Sequence, residues 1–133
     1  MCGITGFFDT KGLIKNEDLI NSNNTLSHRG PNAGRTETYS LQNAVIGFGH
    51  KRLSILDLSE NGSQPMHNND KSIFVILNGE IYNFSEIKKE LVLLGYSFKS
   101  SGDTEVIIKS YEEWGLGAIN KFIGMFAIAL LDK

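Results

Sequence analysis

The chain has 133 residues, 41% of them hydrophobic and 21% charged, with a formal net charge of -2. That length suits one domain able to bury a core, and the near-neutral charge, with 13 Lys and Arg spread along the chain, excludes counterion-driven binding to nucleic acid. No apolar run is long enough to span a bilayer as a helix, and residues 1–9 lack the basic start and long apolar middle of a signal peptide, so a cytoplasmic location is expected.

The predicted elements run as follows. Cys2 to Asp9 is apolar with Gly3 and Gly6, which suits a buried strand approached closely by something else. Asn16 to Ser27 places Leu19, Ile20, Asn23 and Leu26 at helical spacing, with Asn16 as N-cap and Glu17 and Asp18 in the first turn. The breaker cluster His28 to Asn32 follows, then two short strands, Thr36–Leu41 and Ala44–His50, joined at Gln42-Asn43. Asp57 to Lys71 is polar and reads as a long loop of the kind that is often functional.

Ser72 to Leu77 is a β-branched and aromatic run that predicts a buried strand, closed by a tight turn at Asn78-Gly79. Ser85 to Leu94 predicts a helix with Ile87, Leu91 and Leu94 on its inner face and Gly95 as its C-terminal cap. A further helix, Thr104 to Trp114, starts at Asp103 or Thr104 and ends at Gly115, with Val106, Ile107 and Tyr111 inward and Ser110 on the polar side. Met125 to Leu131 reads as a core strand. Strands in groups with helices between them predict an α+β fold of stacked sheets flanked by helices.

Cysteine and histidine usage limits the chemistry. A lone Cys2 forms no intrachain disulfide, and without a CxxC pair or clustered His28, His50 and His67 no metal site is expected. Removal of Met1 would leave a thiol and a free α-amine on Cys2. A model α-amine titrates at about 7.7–8.0 and a thiol at about 8.5, so near neutral pH the amine can take the thiol proton through a bridging water. The thiolate would then be a nucleophile carrying its own base, and Gly3 leaves room beside it. Taken alone, Cys2 reads better as a buried hydrophobic thiol.

Five ordered segments weigh against that bland reading: Met1 to Gly6, His28 to Pro31, His50 to Ile55, Asn78 to Asn83, and Gly102 to Glu105. Together they resemble the signature of class II glutamine amidotransferases in the form carried by asparagine synthetases, and the resemblance extends over essentially the whole chain. It implies a four-layer αββα N-terminal-nucleophile sandwich of antiparallel sheets. It also implies a thioester formed from L-glutamine at Cys2 and hydrolysed to glutamate and ammonia.

The resemblance carries roles onto individual residues. Arg52 would pair its planar guanidinium with the glutamine α-carboxylate, with the backbone of Leu53, Ser54, Ile55 and Leu56 continuing that wall. Asn78 and the Gly79 N–H would form the oxyanion hole, although Asn-Gly is also a common hairpin turn. Glu80 and, more strongly, Asp103 would hold the α-ammonium, although Asp103 could equally cap the following helix.

Arg29, Gly30 and Pro31 would shape the loop near the nucleophile. The family usually has Asp after that proline, whereas this chain has Asn32. Tyr82, Asn83 and Gln64-Pro65-Met66 match as loop-fixing residues, and Phe7, Phe74, Phe126 and Trp114 read as core.

No cofactor is expected in this domain. ATP and magnesium belong to a C-terminal synthetase domain that would receive the ammonia and is absent from this chain, so residues 1–133 are expected to be an incomplete amidotransferase domain, truncated at its C-terminal end. An unpaired strand edge near the end, with self-association or a homodimer there, follows from that expectation. The rival reading is a non-catalytic docking or stabilising domain of the same fold.

Overall fold

The computed structural model describes residues 2–53 and 60–133. It is a mixed α and β structure with two antiparallel three-stranded sheets. In the first sheet, β1 (Gly3–Asp9) and β2 (Ala33–Ser40) both pair with a central β3 (Val45–Arg52). In the second, β5 (Ile73–Ile81) lies between a two-residue β4 (Met66–His67) and β6 (Gly124–Asp132). Helix α1 (Asn16–Thr25) follows β1, and α2 (Phe84–Leu93) and α3 (Thr104–Trp114) lie between β5 and β6.

Residue alternation along each strand decides what it faces. On β3, Phe48 faces the second sheet, where it joins Tyr39, Phe74, Ile76 and Leu131 in one buried cluster. Gly47 and Gly49 face the other way, and their lack of a side chain is what lets neighbours close in. A Cβ at Gly47 would come within 2.3 Å of the Phe7 ring, and one at Gly49 within 3.1 Å of the Asn23 carboxamide of α1. On β5, Ile73, Val75, Leu77 and Ile81 face α2 and α3 and form the larger cluster with Ile87, Leu91, Val106, Ile107 and Ile108.

The helices end where their sequences say, with local differences. Lys15 is the N-cap of α1, and its N–H donates to the Asp18 carboxylate at 2.8 Å, so the cap falls one residue before Asn16. Leu19 and Asn23 are buried, but Ile20 is 40% exposed, because α1 buries only a narrow stripe on the first sheet. Helix α2 closes with a left-handed Gly95 (φ +98°), whose N–H donates to Val92 O while Tyr96 N–H donates to Leu91 O. This is the Schellman arrangement, and it turns Leu94 outward instead of onto the predicted inner face. Helix α3 stops at Gly115 as expected, but Ser110 is fully buried, because the helix is enclosed on more than one side.

The Asn78-Gly79 pair does not make the expected tight turn. Strand β5 runs straight through it, with Asn78 opposite Ala127 and Gly79 opposite Phe126, because the β6 ladder continues to Ile81 and a long-range partner overrides the local turn preference. Gly79 is nevertheless required there. Its φ is +140°, and a Cβ would lie 2.1 Å from Met125 O. Strand β6 is one residue longer at each end than Met125–Leu131, and within that run only Leu131 is buried, while Met125 is 65% exposed at the cavity end. Phe74 is buried as expected, whereas Phe7, Phe126 and Trp114 are half-buried.

Leu91 is fully buried between α2, α3 and β5. Leu91→Ala should therefore lower unfolding free energy by about 2–5 kcal/mol, read from urea denaturation, as truncation of a closely packed leucine leaves a cavity.

Candidate active site

The cavity of interest opens at the end of β5 that carries Gly79. Cys2, Arg52, Leu53, Gly79, Glu80 and Asp103 all line it, and its volume is about 250 Å³. Residues from just before β1, from β3 and β5 and from the start of α3, far apart in sequence, thus meet around one cavity.

Cys2 precedes β1 and is half-buried. Leu53 N–H donates to its Sγ at 3.4 Å, and the Leu53 carbonyl lies 3.7 Å from the same sulfur, so the end of β3 fixes where the thiol points. Arg29 Nε donates to Cys2 O at 3.0 Å. Asn32 N–H donates to Arg52 O at 3.1 Å, and a Cβ at Gly30 would strike the Lys51-Arg52 backbone at 2.3 Å. The segment from Arg29 to Asn32 therefore holds Cys2 and the Arg52 backbone together, which is the loop-shaping role expected of Arg29 and Gly30.

Arg52 ends β3 and is largely buried in the cavity wall. Asp103 stands opposite, at the entry to α3. Its side chain makes no capping hydrogen bond to the helix, and instead its Oδ2 accepts Ile81 N–H at 3.0 Å. Burial raises the Asp103 pKa above the ordinary carboxylate value, nearby Glu80 adds to the rise, and the Ile81 N–H opposes it. Among the described residues Asp103 has no ion pair, so its carboxylate lacks a protein cation to offset its burial.

Asn78 is the exception among the expected residues. It is half-buried with an unpartnered, buried Oδ1, but it stands behind Gly79 and does not line the cavity. Ser54, Ile55 and Leu56 lie outside the described residues.

In the sequence several wall residues read only as parts of matching segments, with Gln64 as a loop-fixing residue, and not as site residues. Gln64 and Thr104 line the cavity, with Gln64 Nε2 donating to Thr104 Oγ1 at 3.0 Å and Gln64 Oε1 accepting Leu77 N–H at 2.6 Å. His50 also lines the cavity, is 1% exposed, and its Nε2 has no partner among the described residues. A run of alternating strand residues gives no hint that its one histidine points inward. Only the register of β3 shows it. Among the described residues no group of three or more His, Cys, Asp or Glu could hold a metal ion, and no helix is long and apolar enough to cross a membrane.

Burial lowers the His50 pKa from 6.5 to about 4, with Arg52 pushing the same way and the Leu77 hydrogen bond opposing. The unfolded chain therefore takes up this proton first as pH falls. Stability is fully present above about pH 6.5 and is lost progressively down to about pH 4, by on the order of 3 kcal/mol. His50→Gln should flatten that part of the curve of unfolding free energy against pH, measured by urea titration at each pH.

The chain matches the glutamine amidotransferase domain family over residues 1–133. It is 39% identical over 137 residues to asparagine synthetase [glutamine-hydrolyzing] 1 of Bacillus subtilis (strain 168), covering 100% of this chain and 21% of that protein. It is 43% identical over 137 residues to asparagine synthetase [glutamine-hydrolyzing] 2 of the same organism, covering 100% of this chain and 17% of the relative. To the amidase chry2 of Gibberella zeae it is 35% identical over 144 residues, covering 100% of this chain and 21% of the relative. The chain thus spans about a fifth of the length of these relatives, and the match at every one of its residues places it in one family. This chain belongs to the glutamine amidotransferase domain family.

Proposed function

We propose that this domain hydrolyses L-glutamine to glutamate and ammonia through a thioester on Cys2. The observation that carries the reading is one cavity holding a thiol, a buried arginine and a buried carboxylate that has no ion pair among the described residues. Those three groups match the amide, α-carboxylate and α-ammonium of a free amino acid.

With Met1 removed, the Cys2 amine takes the thiol proton and the thiolate attacks the glutamine carboxamide carbon. Negative charge collects on the carbonyl oxygen, which the Gly79 N–H and the Asn78 amide stabilise. Gly79 lines the cavity, which places its backbone within reach of that oxygen. Asn78 reaches the oxyanion only if its side chain turns past Gly79 when substrate is bound. The C–N bond then breaks, the leaving nitrogen takes the proton from the Cys2 α-ammonium, and ammonia departs. Water attacks the thioester, the C–S bond breaks and glutamate leaves. Arg52, with the backbone from Leu53 through Ser54, Ile55 and Leu56, holds the α-carboxylate, and Asp103 with Glu80 holds the α-ammonium.

The fold reading extends the same way. Helix α1 packs on the glycine face of the first sheet, and α2 and α3 pack on the far face of the second, which supports a four-layer αββα arrangement. Relatives several times longer support residues 1–133 being one domain of a larger protein, with ammonia passed to an ATP-dependent synthetase domain. ATP and magnesium would belong to that domain, and no step on this chain is routed through them. Relatives named as asparagine synthetases and as an amidase leave aspartate as one acceptor among other carboxylates.

The test is intact mass of the protein before and after a glutamine analogue bearing a thiol-reactive diazoketone. Expected are loss of Met1 and a single adduct that Cys2→Ala abolishes. Arg52→Lys should weaken the analogue's half-saturation by roughly 10- to 100-fold, as a point charge replaces a two-pronged donor. Retained Met1, or no adduct on a trimmed chain, would favour the non-catalytic docking domain.

Strand β6 stands at the edge of its sheet, beside the 65% exposed Met125, and a second copy of this chain is the partner proposed for it. Sedimentation velocity should show concentration-dependent dimerisation. A monodisperse monomer at high concentration counts against it.

A further inference from the structure

We propose that Gln64 is a positioning residue that sets the separation between the two arms of the cavity, the Asn78-Gly79 stretch of β5 and the Asp103 start of α3; this rests on the glutamine reading above. The β4 register pairs Met66 with Val75 and His67 with Phe74, so two residues further along, position 64 stands opposite Leu77. Strand β4 stops before that point. The Gln64 side chain supplies what the missing backbone would have supplied, its Oε1 accepting Leu77 N–H at 2.6 Å.

The other end of the same carboxamide donates to Thr104 Oγ1 at 3.0 Å. A carboxamide is planar and rigid, so the two bonds together fix the distance from Leu77 to Thr104. Thr104 is the immediate neighbour of Asp103 and Leu77 lies two residues before Gly79, and both Asp103 and Gly79 line the cavity. Gln64 is only 7% exposed, so water cannot readily replace either bond. A displacement of about 1 Å between substrate-binding groups is enough to cost as much as 10²-fold in rate. A merely structural Gln64 would instead change stability alone.

The experiment uses trimmed protein and three readouts: kcat and KM for glutamine, alkylation of Cys2 by iodoacetamide, and amide hydrogen exchange at Leu77 by NMR. Gln64→Met keeps the length and volume but loses both hydrogen bonds. It should lower kcat and raise KM by about tenfold each, and speed Leu77 exchange by about tenfold, while iodoacetamide reactivity stays within about twofold. Gln64→Glu keeps an acceptor for Leu77 N–H and a second oxygen to which the Thr104 hydroxyl can donate, so it should recover most of kcat. Thr104→Val cuts only the α3 end and should raise KM more than it lowers kcat.

Wild-type kcat and KM in folded Gln64→Met would overturn the proposal, as would an unchanged KM in Thr104→Val should Gln64→Met fail to fold. A wild-type protein that turns over no glutamine, with Leu77 exchange still accelerated in Gln64→Met, would overturn the glutamine reading and the positioning role with it, leaving the tie itself standing.

Discussion

The free edge of β5 is the constraint from which the site follows. One edge of this strand pairs with β6 along its whole length, but β4 covers only two residues of the other, and beyond Val75 the strand still carries the buried Ile76, Leu77 and Ile81. Buried N–H groups cannot stay unpaired without a cost of about 1–3 kcal/mol each. Side chains take the place of a strand: Gln64 accepts from Leu77 and Asp103 accepts from Ile81. The stretch between them, centred on Gly79, is left facing the cavity. The bonds that complete the sheet edge thus also bring the start of α3 and the segment after residue 59 to the cavity rim.

The electrostatics of this wall follow from burial rather than from formal charge. Desolvation pushes Asp103 up and His50 down, each toward its neutral form. His50 stays neutral because burial and the nearby Arg52 charge both disfavour its cation, against the opposing pull of the Leu77 backbone. Asp103 is different, because an incoming ammonium would restore the charged form at the same time as it is bound. A net charge of -2 says nothing of this. The relevant charges are few, buried and local.

Much of the architecture was legible from the chain alone because the signals were local. The Gly95 and Gly115 stops, the Leu41 to Ala44 turn and the apolar run Ile73 to Leu77 depend on neighbours a few residues away. The errors share one cause. Asn78-Gly79 looked like a turn, Ser110 like a solvated residue and Leu94 like a core residue, and in each case a distant partner or the exact end of a helix decided otherwise. Gln64 and Thr104 were passed over as sites for the same reason, because neither residue type signals that its side chain will complete a sheet edge 13 residues away or receive a bond from one 40 residues away.

By itself the sequence determined the elements, the family resemblance and the chemical identity of the candidate groups: a thiol at position 2, an arginine at 52 and a carboxylate at 103. Those are matters of side-chain type and local periodicity. Only the tertiary structure decided that Asp103 accepts from Ile81 rather than capping its own helix, that Cys2 Sγ rests on the Leu53 backbone, and that a buried histidine held toward its neutral form lines the cavity. The reason is that burial and hydrogen-bond partners are set by strand register and by contacts across the two sheets, and no window of sequence contains both partners.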